Sequence, residues 1–261
     1  LYTGYQAPRQ LITREISRQL DLPPQSDWPE PLMCGVVVGD TLDIFIENLK
    51  RAQAEMSMIE LRVDSILELN ADTIDVTLSS IKAHLIRPAI LTCRRTRHRV
   101  IDPSQVMVSV TAAKSDQISP ELQQLILQRG IDLGMGWVDI DINCYPALNL
   151  SLKHTRLILS AHHFTCTPSL ESLRSTFSEM STYEPAIYKF ATLAQTRDDL
   201  RRLTHLLTGL IDPLSSLNEE RHHPQMIVVA MGERFSLSRA LFPLLGSYLT
   251  FATPQHDPAL K

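Results

Sequence analysis

The run Tyr188-Lys189-Phe190-Ala191-Thr192-Leu193 sets a lysine in an apolar, aromatic-rich stretch bounded by Pro185 and by Gln195-Thr196-Arg197-Asp198. That pattern reads as a buried strand of about six residues. A lysine enclosed by Ile187, Phe190 and Leu193 is poorly solvated, and desolvation disfavours its ammonium form. A neutral amine can attack a carbonyl carbon and form a Schiff base. A lysine on an edge strand that reaches water is the plainer alternative, and this run alone leaves it open.

The elements that must position such a lysine recur at regular intervals. Short β-rich runs lie at residues 33–38, 58–63, 89–93, 137–142, 156–160, 186–192, 226–230 and 247–251. Between most of them the apolar residues take helical spacing, as in Leu42-Ile46-Leu49 and Leu170-Leu173-Phe177. Eight strands with intervening helices predict an α/β fold, a single-domain (β/α)8 TIM barrel. Two stretches fit it poorly. Residues 106–112 look like an extra strand, and residues 213–224 form a long polar insertion. Residues 1–31 are Pro-rich and read as a linker or tail, residues 32–255 as the barrel, and residues 256–261 as a linker start or truncated lid. The expectation is a fragment of a longer chain.

In such a barrel, chemistry gathers at the carboxyl ends of the strands. Glu60 and Arg62 stand two apart and share one face, while Leu61 and Val63 turn to the helices. The third strand ends in Thr92-Cys93-Arg94 and the fifth in Ser160-Ala161-His162-His163-Phe164. Met231-Gly232 and then Ser238-Arg239 follow the seventh. Each has a structural reading too, as an internal ion pair, a solvated loop charge or a helix cap. Together they suit a small anionic carbonyl compound.

Composition narrows the classes. With 44% hydrophobic and 21% charged residues the chain is ordinary globular material, and a net charge of −4 argues against direct nucleic-acid binding. No apolar run approaches a membrane span, and no signal peptide is evident. Cys34, Cys93, Cys144 and Cys166 lack metal-type spacing and read as free thiols. An intracellular place, cytoplasm or nucleus, is the expectation.

The motifs Glu60-Leu61-Arg62-Val63-Asp64, Thr92-Cys93-Arg94, Ser160 through Pro168, Tyr188-Lys189-Phe190-Ala191, and Met231-Gly232 through Ser238-Arg239 to Phe251 occur in one order over residues 33–255. As a set they resemble type I 3-dehydroquinate dehydratase, the type I dehydroquinases. The resemblance implies a (β/α)8 barrel that works without cofactor or metal. It implies that Lys189 forms an imine with the substrate ketone and that His162 moves protons. Arg239 would hold the substrate carboxylate, and Glu60, Arg62, Arg94, Met231 and Phe251 would complete the binding site.

The chain also departs from that family. Where the family carries a glutamate and two glycines after the arginine matching Arg94, this chain reads Arg94-Arg95-Thr96-Arg97-His98-Arg99-Val100. The glutamate, which in the family bonds the histidine, is replaced by His98. An orienting carboxylate fixes a tautomer and stabilises an imidazolium, and its loss can cost up to about 10⁴ in rate. The family's closing loop ends in a glutamine, and here residues 253–261 end the chain.

Two functions are expected, the first leading. One is a catalytically impaired dehydroquinase-like domain, most like that of a fungal quinate repressor. It would act through a protein partner such as a transcription activator and sense 3-dehydroquinate, 3-dehydroshikimate or quinate. The other is an active 3-dehydroquinate dehydratase, alone or within a multidomain shikimate-pathway enzyme.

Overall fold

The computed structural model describes residues 32–96, 117–209 and 224–252. His98, residues 106–112 and 213–223, the head and the final residues lie outside them. Eight strands form one sheet: β1 Leu32–Val37, β2 Met58–Arg62, β3 Ala89–Thr92, β4 Trp137–Asp141, β5 Arg156–His163, β6 Ile187–Leu193, β7 Met226–Met231 and β8 Leu249–Ala252. Every neighbouring pair is parallel, in the order β7-β6-β5-β4-β3-β2-β1-β8. Around the seam, Met226 bridges Ser247 and Tyr248 N donates to Met226 O at 2.7 Å, so β7 and β8 nearly close the barrel.

Six helices accompany the strands among the described residues: α1 Leu42–Glu55, α2 Ile74–His84, α3 Pro120–Asp132, α4 Leu170–Ser181, α5 Arg197–Gly209 and α6 Ser238–Leu244. Four begin on a side-chain cap, where Thr41, Ser119, Ser169 and Thr196 accept from Ile44, Leu122, Ser172 and Asp199 N–H. Such caps satisfy otherwise orphaned amides. Between β4 and β5 the chain forms only a 3-10 turn, Tyr145–Ala147, instead of a helix. In the last turn of α3 stands Gly130, where an added Cβ would run into Leu91 Cδ2. The missing side chain lets α3 press against β3. No described helix is long and apolar enough to cross a membrane.

Strand alternation divides the barrel into two apolar regions. Outward residues such as Leu61, Leu91, Val138, Leu159 and Phe190 join the helix faces in the larger core. Inside, each strand gives one residue to a second cluster: Cys34, Met58, Ile90, Trp137, Ile158, Ile187, Ile227 and Leu249. This floor is buried, and each fully buried aliphatic side chain contributes about 1.5–3 kcal/mol. Two residues further along the strands, Glu60, Thr92, Asp139, Ser160, Lys189 and Phe251 stand on the same inner face, and the inside changes from apolar to ionic.

Candidate active site

Above the floor opens a cavity of ≈ 660 Å³ at the carboxyl ends of the strands. Glu60, Arg62, Arg94, His162, Lys189, Met231 and Phe251 all line it, so seven of the expected residues come together. Arg95, Asp141, Cys144 and Phe164 complete much of the wall.

Lys189 is 5% exposed on β6, which lies between β5 and β7 and is therefore no edge strand. Its surroundings differ from the sequence expectation. Ile187 belongs to the floor beneath it, but Phe190 points outward among the helices, as strand alternation requires. Nor are the walls mainly apolar. Lys189 Nζ donates to Asp139 Oδ2 at 2.6 Å, stands 3.5 Å from Glu60 Oε1 and lies 4.3 Å from the Phe251 ring centroid. Thr92 Oγ1 donates to Glu60 Oε1 at 2.8 Å and fixes that carboxylate.

Asp139 is the hub. Its Oδ1 accepts from Arg94 Nη2 at 2.8 Å and from Ser160 Oγ at 2.6 Å, while Oδ2 holds Lys189. Burial alone would push this carboxyl up, yet Arg94 and then Lys189 overcome burial and hold it far below the usual carboxylate range. Arg94 thus serves as an internal brace, and Nη1 also donates to Ser160 Oγ at 3.2 Å. Arg62 is similarly tied, with Nε and Nη2 donating to the two Asp64 oxygens at 3.0 and 2.8 Å. Fork-to-fork pairing of this kind fixes a guanidinium in direction as well as charge.

His162 sits where β5 runs on beyond its expected end, paired with Ala191 of β6. Its Nδ1 lies 3.0 Å from Asp141 Oδ2, its Nε2 lies 3.4 Å from Arg94 Nη2, and the Phe164 ring stacks on it at 5.7 Å. Burial, then the Arg94 charge, push the imidazole below its ordinary value, against the hydrogen bond to Asp141. The ring is therefore neutral at neutral pH and able to accept a proton.

Arg239 does not join this cavity. It lines a neighbouring one of ≈ 160 Å³ beside α6, and Val229 and Phe251 line both. The cause is local. Gly232 takes φ 98°, a conformation that favours glycine, and turns the chain into the 3-10 turn Glu233–Phe235 before α6 begins. His98, the expected degenerate position, lies outside the described residues.

Sequence reasoning missed Asp139 and Asp141. Their signal was present, because Asp139-Ile140-Asp141 repeats on β4 the two-residue spacing of Glu60 and Arg62. None of the four cysteines is in a disulfide, and the described residues hold no cluster of three or more metal-binding side chains.

Comparison with known proteins bears on the fold and the family. The family model described as type I 3-dehydroquinase matches residues 33–259. A 3-dehydroquinate dehydratase of Coxiella burnetii is 33% identical over 223 residues, covering 85% of this chain and 84% of the relative. One from Shouchella clausii is 28% identical, covering 88% and 85%. Among solved structures, the type I 3-dehydroquinate dehydratase of Clostridium difficile superposes with a TM-score of 0.67 at 19% identity, covering 87% and 86%. The dehydroquinate dehydratase and shikimate dehydrogenase of S. pombe gives 0.62 at 19%, covering 88% of this chain and 41% of that one. These structures share the barrel, and with the family match and the Coxiella relative they establish that the chain belongs to the type I 3-dehydroquinase family.

Proposed function

We propose that this chain is a 3-dehydroquinate dehydratase, with residues 32–255 as its catalytic unit. The observation that carries the reading is the shared cavity of Lys189 and His162, each held by an aspartate of β4. Lys189 attacks the ring ketone, water leaves, and a protonated imine forms. The amine must shed a proton first, and Asp139 and Glu60 stand nearest to Nζ. The imine acts as an electron sink, so the adjacent C–H becomes acidic. His162 Nε2 removes that proton, giving an enamine. The enamine pushes out the hydroxyl on the next carbon while His162 returns the proton, so water leaves from the same face. Hydrolysis of the conjugated imine releases 3-dehydroshikimate and frees Lys189. The water lost in imine formation is regained here, and the net change is loss of one water. Arg62 and Arg94 supply positive charge to the cavity wall, and Arg239, in the neighbouring cavity, is the candidate carboxylate holder.

The repressor reading rested in part on the loss of a carboxylate beside His162. Asp141 stands beside that ring, which weakens that part of the argument. The test is direct. With 3-dehydroquinate added, enone absorbance should rise, and Lys189→Ala should abolish the rise. A folded wild-type protein that forms no enone would overturn the dehydratase reading and return the regulator to first place.

A further inference from the structure

The geometry points to Asp141 as the positioning residue of His162, supplying from β4 the orienting carboxylate that the sequence lacks at His98. Three features carry this. First, Arg94 Nη2 is a donor 3.4 Å from His162 Nε2, and a guanidinium has only donors. Nε2 must therefore be the bare nitrogen, and the ring proton sits on Nδ1. Second, that Nδ1–H has an acceptor, Asp141 Oδ2, at 3.0 Å. The two contacts select one tautomer, with the lone pair on Nε2, the nitrogen that transfers the proton. Third, Asp141 is itself anchored. Its Oδ1 accepts from Asn143 N at 3.0 Å and Asn143 Nδ2 at 2.8 Å, so the carboxylate cannot swing away. Phe164 stacks on the ring and limits its tilt.

The charges that face His162 come from three strands. Asp141 and Asp139 belong to β4, Arg94 follows β3, and Lys189 belongs to β6. Burial, Arg94 and Lys189 disfavour the imidazolium, whereas Asp141 and Asp139 favour it. Asp139 already serves Arg94, Lys189 and Ser160. Asp141 is thus the carboxylate placed to stabilise the imidazolium formed after proton abstraction. The role in turnover rests on the dehydratase reading, but the role in holding the ring does not.

The test uses Asp141→Asn and Asp141→Glu in the full chain, with the His162 ring followed by nitrogen-15 NMR and turnover measured separately. Wild type should show a single neutral form protonated on Nδ1. Asp141→Asn should lose that single form, and the proton affinity of the ring should fall about tenfold, the scale of a charge-assisted hydrogen bond. With 3-dehydroquinate, kcat should fall about 10²-fold or more at nearly constant KM, and Asp141→Glu should restore part of both signals. If the ring responds as expected but wild type does not turn over, the positioning role stands and the dehydratase reading fails. If wild type turns over and Asp141→Asn changes neither ring nor kcat, the reaction stands and the positioning role is wrong.

Discussion

Replacing Asp139 by asparagine perturbs the ionic layer at its centre. The carboxylate is buried and accepts from three donors, Arg94 Nη2, Lys189 Nζ and Ser160 Oγ. An amide of the same shape offers one acceptor oxygen and turns an NH₂ group towards the rest. At least one buried cation then faces a donor. Removing one partner of a buried pair costs about 3–5 kcal/mol, since the partner left behind stays desolvated. For a domain of this size that lowers Tm by roughly 6–20 °C. Adding Lys189→Met removes one orphaned cation, so the double variant should be more stable than the two single losses summed, by about 1–3 kcal/mol. The pH dependence has a definite sign. Asp139 is held far below its unfolded value, so its contribution is complete above about pH 5 and is lost as pH falls. The stability gap between wild type and Asp139→Asn should stay constant from neutral pH down to about pH 5 and narrow in stronger acid. Thermal unfolding of the four proteins across pH measures all of this. An Asp139→Asn Tm within about 2 °C of wild type, or strictly additive losses, would refute the hub described above.

Other expectations follow from the same geometry. Burial and Arg94 depress His162, so kcat/KM should hold its plateau below the ordinary histidine value of about 6.5 and fall only in more acid solution; an acid limb above neutrality would contradict a neutral-base His162. The same depression makes its share of stability complete above that ordinary value and lost as pH falls through the folded one. Arg239→Ala should raise KM for 3-dehydroquinate about tenfold to a hundredfold with little change in Tm, if the guanidinium reaches the substrate carboxylate past Phe251; an unchanged KM would confine Arg239 to its own cavity. Gly130→Ala should lower stability by about 1–3 kcal/mol despite better helix propensity, because Leu91 is fully buried and cannot yield the space; unchanged or raised stability would show that β3 and α3 can separate freely.

The strands were legible to within a few residues because their apolar runs are short and regularly spaced. β5 ran on through His163, since polar residues at a strand end look like a loop although His162 and His163 pair with Ala191 and Thr192. The absence of a helix after β4 was not foreseen, and the short turn around Pro146 takes its place. At the site, two-residue parity found Glu60 and Arg62, and parity applied to β6 would have turned Phe190 away from Lys189. Asp139 and Asp141 were passed over because aspartate near a strand end reads as a turn former. Their meaning appears only when β4 lies between β3 and β5, which brings Asp139 to Lys189 across 50 positions of sequence. Arg239 shows the opposite limit. Its place in the chain was clear, but which of the two neighbouring cavities it lines appears only in the folded chain.

The central claim is that Lys189 forms a covalent imine with the ring ketone and that this imine leads to loss of water. Borohydride added during reaction with 3-dehydroquinate would reduce the imine to a stable secondary amine. Peptide mass spectrometry should then find one adduct, on Lys189, and the trapped protein should no longer produce enone. Enone formed steadily in the presence of borohydride, with Lys189 unmodified or the adduct on another lysine, would contradict the account.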